Sequence, residues 1–222
     1  MNAIDNKFIK RLRESDKPIV TDGAMGTLLH ERGIPIDACF DELNLQHPAA
    51  VAEIHRDYIQ VGAQLIKTNT FGANQTKLER HGLEDRVAEI NAAAVNLAQK
   101  VVSASFRDVL IAGDVGPLGV PLAPFGRLQP EQAFEIYVEQ IAALVESGVD
   151  LILIETMVDT YAVRAAVEAA RHVDPAVPVI ASMTFTRDRR TLLGDSPEEV
   201  AQRLDEMDVD VIGVNCSGGP EH

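Results

Sequence analysis

Apolar residues along this chain alternate between two rhythms. Six short runs are almost continuously apolar and rich in β-branched residues: Pro18–Asp22, Gln64–Asn69, Val109–Asp114, Leu151–Glu155, Pro178–Thr184 and Val209–Asn215. Runs of that kind suit strands buried on both faces. Between them the spacing turns helical. Val87, Ile90, Ala94, Leu97 and Val101 fall on one stripe, and Phe134, Val138, Ile141 and Val145 on a second that Gly148 stops. Val163, Val167 and Ala170 mark a third helix. Ser196-Pro197-Glu198-Glu199 opens a fourth, with a hydroxyl at the N-cap and proline in the first helical position.

Strand–helix alternation of this kind predicts an α/β fold with a parallel sheet and right-handed crossovers. A doubly wound open sheet and a (β/α)8 TIM barrel both satisfy it. Polar residues close strand after strand here, which favours the barrel, because an open sheet gathers its site at one switch point. A complete barrel takes about 250 residues, and the loops 23–48 and 116–130 are already long. About six of the eight βα units are therefore expected, in one domain over residues 1–222 that is incomplete at its C-terminus, with the first and sixth strands as open edges.

Composition narrows the partners. Hydrophobic residues make up 46% of the chain, aromatics only 5%, and there is no Trp, so the core must be built from Val, Ile, Leu and Ala. A net charge of −14 would repel nucleic-acid phosphates. No apolar stretch reaches membrane length, and Met1–Arg13 lacks the apolar segment of a signal peptide. Two cysteines without framework spacing suit a reducing compartment, and a cytoplasmic location is expected.

The candidate chemistry sits at the strand ends. Thr21-Asp22-Gly23-Ala24-Met25-Gly26-Thr27 is either a turn that lets backbone amides approach a ligand or a tight turn with Asp22 as a local cap. Thr68 and Asn69 could bond a ligand, or their string could serve the next helix, capped by Asn74. Glu155 follows an apolar Leu-Ile-Leu-Ile run, where a carboxylate either meets a substrate ammonium or forms an ion pair. For Asp114, before Gly116-Pro117, a turn role is as well supported. Cys216 ends the last run, and a lone cysteine can be a ligand or a buried, inert thiol. The six histidines show no ligand spacing and read as surface or loop residues.

Several strings in register resemble one family. They are Asp22-Gly-Ala-Met-Gly-Thr27, Asp41-Glu-Leu-Asn-Leu45 with His47-Pro48, Thr68-Asn-Thr-Phe-Gly-Ala-Asn74 and Gly113-Asp-Val-Gly-Pro-Leu-Gly119, followed by Glu155-Thr-Met157, Met183-Thr-Phe-Thr186 and Gly213-Val-Asn-Cys216. Together they resemble the homocysteine S-methyltransferase domain, in wording nearest the modules of cobalamin-dependent methionine synthases and of bifunctional enzymes that add a methylenetetrahydrofolate reductase. The resemblance implies a TIM barrel that transfers a methyl group to the thiol of L-homocysteine, forming methionine, with zinc held by three cysteines. It makes Cys216 the first zinc ligand and a catalytic residue. It gives Glu155 the substrate's amino group, Asp22 and Gly23 the turn that holds the amino acid, and Thr68 and Asn69 a site-facing loop.

The remaining ligands in that family are an adjacent Cys-Cys pair, and no such pair occurs here. The expectation is a chain incomplete for turnover, with further C-terminal domains in a longer protein and a donor such as methylcobalamin or a methylfolate supplied elsewhere. The alternative is a metal-free module that binds an amino acid without turnover.

Overall fold

The computed structural model describes residues 6–218. Five strands form one sheet, β1 (Leu65–Lys67), β2 (Leu110–Val115), β3 (Leu151–Met157), β4 (Val179–Met183) and β5 (Val211–Val214), all parallel and in sequence order. The expected first strand, Pro18–Asp22, is only a bridge from Thr21 to Leu65. It is still bound to the sheet's edge: Gln64 N donates to Val20 O at 2.7 Å, and Asp22 N donates to Leu65 O at 3.0 Å. Pro18 has no N–H to offer, and the amide of Val20 goes to the Gln64 side chain at 3.1 Å, so no longer ladder forms.

Helices cover the outer face, namely α4 (Pro48–Gln60), α6 (Val87–Ser105), α7 (Pro130–Glu146), α8 (Thr160–Val173) and α9 (Pro197–Asp205). Their caps match the expected signals. Ser196 Oγ accepts from Glu199 N at 3.3 Å while Glu199 returns to Ser196 N, and Gly148 adopts φ +91° just beyond α7. On α7 the deeply buried face is Ala133, Tyr137, Ile141 and Leu144, whereas Phe134, Val138 and Val145 are only partly buried. The expected stripe is thus rotated by about one residue, because α8 packs against α7 and takes its flank into the core. The short α2 (Met25–Glu31) and α3 (Leu43–Gln46) lie in the first long loop, and α5 (Gln75–Leu78) follows β1.

The concave face is closed by an element that the apolar rhythm did not announce. Helix α1 (Lys7–Glu14), capped by Asn6 Oδ1 on Phe8 N at 2.8 Å, buries Phe8 and Ile9. They meet Leu65, Leu110, Ala112 and Leu151, with Ile180 and Val211 packed alongside. Residues from every strand can reach one helix only if the sheet curls around it, since flat neighbouring strands lie about 4.8 Å apart. The architecture is that of a TIM-type α/β fold, with no ladder closing β5 onto the Pro18–Asp22 edge among the described residues.

His55 corrects the surface reading of the histidines. It is fully buried on α4, and neither ring nitrogen has a partner among the described residues; His222 lies outside them. Burial lowers its pKa from 6.5 to about 4. In the unfolded chain the ring takes up a proton below 6.5, whereas the folded protein resists it until about 4. The stability gained is complete above pH 6.5 and lost as pH falls toward 4, on the order of 3 kcal/mol. Urea melts at pH 7 and pH 4.5 should show a larger loss for the wild type than for His55→Leu, and equal losses would refute the account.

At the other edge, β5 turns Ile212 and Val214 outward, 47% and 62% exposed, in register with the covered Ala181 and Met183. This uncovered apolar strand should promote self-association that grows with concentration. Light scattering on Ile212→Lys should show it reduced; a wild type monomeric at every concentration would contradict this.

Candidate active site

Strand parity builds the site. Leu65, Leu110, Leu151 and Val211 point to α1 inside the curl. Two residues further on β1, and four further on β2, β3 and β5, the same parity delivers Lys67, Asp114, Glu155 and Asn215. With Asp22 and Cys216 they line one cavity of about 820 Å3 at the C-terminal ends of the strands. The N-terminal half of the interior is therefore apolar and plugged, and the C-terminal half is polar and open.

One ammonium serves three carboxylates. Lys67 Nζ lies 3.2 and 3.3 Å from the two oxygens of Glu155. Burial alone would lower the Lys67 pKa, but Asp114, Glu155 and Asp22 together raise it. Asp22 Oδ2 accepts from Lys67 N at 2.9 Å, and its Oδ1 is buried with no partner among the described residues. Burial raises the Asp22 pKa to about 7, with Glu155 adding to the rise and Lys67 opposing it. Asp114 is buried, its Oδ1 is likewise unpartnered, and burial, then Glu155, push its pKa well up. Asp22 thus braces β1 and does not cap α2, and Asp114 belongs to the cavity floor.

Asn215 ties this floor to the thiol. Its Nδ2 donates to Thr156 Oγ1 at 2.8 Å and to Glu155 Oε2 at 3.3 Å, and lies 3.6 Å from Cys216 Sγ. Its Oδ1 accepts from Thr156 N at 2.8 Å, and Thr156 Oγ1 stands 3.6 Å from the same sulfur. Thr156 and Cys216 hold φ of +59° and +49°, a region that non-glycine residues seldom occupy. The exposed thiol is therefore held at the cavity mouth by a bonded, strained pair of strand ends.

Asp22, Gly23, Thr68, Asn69, Glu155 and Cys216, the residues expected from the sequence, all line this cavity. Their parts differ. Thr68 Oγ1 pairs with Thr70 Oγ1 at 2.6 Å and accepts from Asp114 N at 3.0 Å. Asn69 Nδ2 donates to Phe40 O at 2.6 Å. These side chains are engaged in holding the loop, and Asn74 caps α5 by accepting from Lys77 N at 3.1 Å. At Gly23 a Cβ would lie 2.7 Å from Tyr58 Oη, so a side chain there would have to displace the Tyr58 ring end. Lys67, Thr156 and Asn215 were not singled out by motif reading, although counting parity from the apolar start of each strand would have found Lys67 and Asn215.

The only other thiol, Cys39, is half-buried on the same cavity, and burial, then Asp41, push its pKa up. Among the described residues no group of three or more His, Cys, Asp or Glu side chains is placed to hold a metal. The donors present therefore do not fit a zinc ion, which needs at least three protein ligands. No helix among them is long and apolar enough to cross a membrane.

Comparison with known proteins agrees with this geometry. The sequence model of a family described as homocysteine S-methyltransferase matches residues 19–222. Methionine synthase of Mycobacterium tuberculosis (strain ATCC 25618 / H37Rv) is 30% identical over 223 residues, covering 93% of this chain and 18% of that protein. The Mycobacterium leprae (strain TN) methionine synthase is 29% identical with the same coverage. The chain thus spans 18% of the length of these relatives. The homocysteine methyltransferase MmuM from Escherichia coli, in its metallated form, matches with a TM-score of 0.80 at 25% identity, over 97% of this chain and 78% of that one.

The electrostatics of the floor can be read directly. In carboxyl-carbon NMR of the free chain Asp22 should titrate near 7, and Lys67→Met should move its midpoint upward, because the opposing ammonium is gone. A midpoint near 4 would show that water reaches this carboxylate.

Proposed function

This chain belongs to the homocysteine S-methyltransferase family, and we propose that its strand-end cavity binds L-homocysteine and offers the thiol for methylation to methionine. The observation that carries the reading is the joining of two kinds of group in one cavity. The carboxylates of Asp22 and Glu155 suit an ammonium, and Asn215 links Glu155 to the thiol-bearing end of β5. The buried Oδ1 of Asp22 has no donor among the described residues, and a substrate ammonium would supply one. Glu155 is the second acceptor, shared with Lys67. Gly23 keeps the turn close to Tyr58, and Thr68 and Asn69 hold the wall.

The part played by this chain is binding and orientation. Methyl transfer makes a bond from the homocysteine sulfur to the donor's methyl carbon and breaks the bond from that carbon to the donor. Cys216 is the residue we assign to the sulfur end, as the catalytic and metal-binding cysteine of this reading. Zinc-dependent turnover needs thiolates beyond those that the described residues bring together. Donor-bearing domains, presenting methylcobalamin or a methylfolate, would lie in other parts of a longer protein, and a cytoplasmic setting fits the two free thiols. Two thiols, Cys39 and Cys216, line the cavity, fewer than the three ligands a zinc ion requires, which also supports a second reading: amino-acid binding without turnover. Methionine formed from homocysteine and a donor on the zinc-supplemented chain would exclude it.

Calorimetry at pH 8 tests the binding. Asp22→Asn should weaken homocysteine on the order of 30-fold or more, the cost of losing one partner of a buried charged pair. Glu155→Gln should weaken it too, by leaving Lys67 to repel the ammonium. Asp22 is ionised above about 7, so wild-type affinity should be full there and fall as pH drops, and the Asn variant should lose that slope. Affinity unchanged in both variants would remove the amino-acid reading.

A further inference from the structure

The cavity has a second wall of opposite sign. After β1 the chain runs through α5 and the 3-10 turn Glu79–His81, and Lys77, Arg80 and His81 from this segment all line the cavity. Lys77 lies largely inside it. Its Nζ sits 4.2 Å from the centroid of the Phe71 ring, and no carboxylate or carbonyl among the described residues is paired with it. A half-buried ammonium resting on an aromatic face, without an anion, is an unfilled position. Arg80 is held beside it by donating from Nη2 to Gly119 O at 3.0 Å. A side chain on Gly119 would meet that guanidinium at 3.1 Å, and its backbone holds φ +76°, so glycine keeps the group open.

Two observations separate this wall from the carboxylate floor. Lys67 is drawn upward in pKa by Asp114, Glu155 and Asp22. Lys77, by contrast, is pushed down by burial and feels Asp41 and Asp114 but neither Asp22 nor Glu155. Asp114 thus acts on both lysines. Asp41 stands near the wall: burial raises its pKa, while the bond its Oδ1 accepts from Gly72 N at 2.9 Å, Lys77 and His81 oppose the rise. A cavity of about 820 Å3 is also in the range that encloses drug-sized ligands, far more than a small amino acid fills. On a chain of net charge −14, an anion is repelled everywhere except where cations gather.

We propose that Lys77, Arg80 and His81 form a subsite for an oxyanion, the carboxylate or phosphate carried by the methyl donor, in the same cavity as the amino-acid site. The assignment to the donor rests on the methyl-transfer reading above. Arg80 has a guanidinium edge for such a group, and Lys77 supplies a point charge deeper in. The floor would hold the acceptor and the wall would orient the donor, with the space between them left for the methyl group.

The test titrates the whole chain with inorganic phosphate and, separately, with acetate, following backbone amide resonances. Saturable shifts confined to Phe71, residues 77–81 and Gly119 are expected from at least one ion. A preference for phosphate points to a phosphate-bearing donor and a preference for acetate to a carboxylate-bearing one. Lys77→Gln and Arg80→Gln should each weaken that binding about tenfold, as loss of a charge-assisted bond does, and Lys77→Arg should retain it. Homocysteine affinity in the same variants should stay within about twofold, because separated sites behave additively. No saturable shift, or shifts indifferent to both Gln variants, would overturn the subsite. If saturating homocysteine displaces the ion, the wall belongs to the amino acid's own carboxylate and the donor assignment falls. Oxyanion binding that survives while homocysteine fails to bind at all would instead refute the methyl-transfer reading, and the donor assignment with it.

Discussion

A strand of a parallel sheet shows every second side chain to the same side, and this constraint governs everything else in the molecule. Curled around α1, the sheet must fill its interior with whatever that parity presents. At the start of the strands it presents Leu65, Leu110, Leu151 and Val211, which Phe8 and Ile9 seal. At their ends it presents Lys67, Asp114, Glu155 and Asn215. The apolar half excludes water from the base of the polar half, and that exclusion gives the charges their force. Asp22 and Asp114 shift upward first because they are buried, and further because Glu155 stands near them.

Such a cluster has to be held against its own repulsion. Lys67 offsets part of the charge, and protonation of Asp22 and Asp114 can offset more. The rest is geometry imposed from outside the cluster. The loop after β1 is pinned by amides from three separate elements: Asn44 Nδ2 on Asn69 O at 2.8 Å, Asn91 Nδ2 on Ala73 O at 2.7 Å and Gln140 Nε2 on Thr70 O at 2.8 Å. All three side chains are buried, so each bond satisfies an amide nitrogen that would otherwise be buried unpaired. At the far side Asn215 does similar work between β3 and β5, and it does so through backbone conformations that would relax if the bonds were lost. The site is therefore a frame of carboxamide bonds around a charged floor. Asn69, Asn74 and Asn215 of the strand-end strings each make such a bond.

Much of this was legible in the chain before any coordinates. Continuous apolar runs named all five strands, helical spacing named α6, α7 and α8, and the Ser196-Pro197 cap named α9, whereas α4 was not read from the sequence. Ser196-Pro197 and Gly148 marked boundaries where the structure has them, because caps depend on a few adjacent atoms. The polar residues closing the strands located the cavity, and Asp22, Glu155 and Cys216 meet there as the motif order implied. What motif reading missed is long-range. The Pro18–Asp22 segment is strand-like in composition, yet its place at an edge and the capture of the Val20 amide by Gln64 reduce it to a bridge.

Sequence alone determined the alternating α/β order, the strand-end location of the chemistry and the family, since these follow from local periodicity and from strings of neighbouring residues. Tertiary structure alone decided that Lys67 is spent on Glu155, that Thr68 and Asn69 brace a loop, that His55 is sealed in the core and that Lys77 lies on the cavity over the Phe71 ring. The reason is physical. A side chain's charge state and partners depend on which groups, tens of residues away, are brought within a few ångströms and how much water leaves with them, and neither quantity is encoded in any local stretch of the chain.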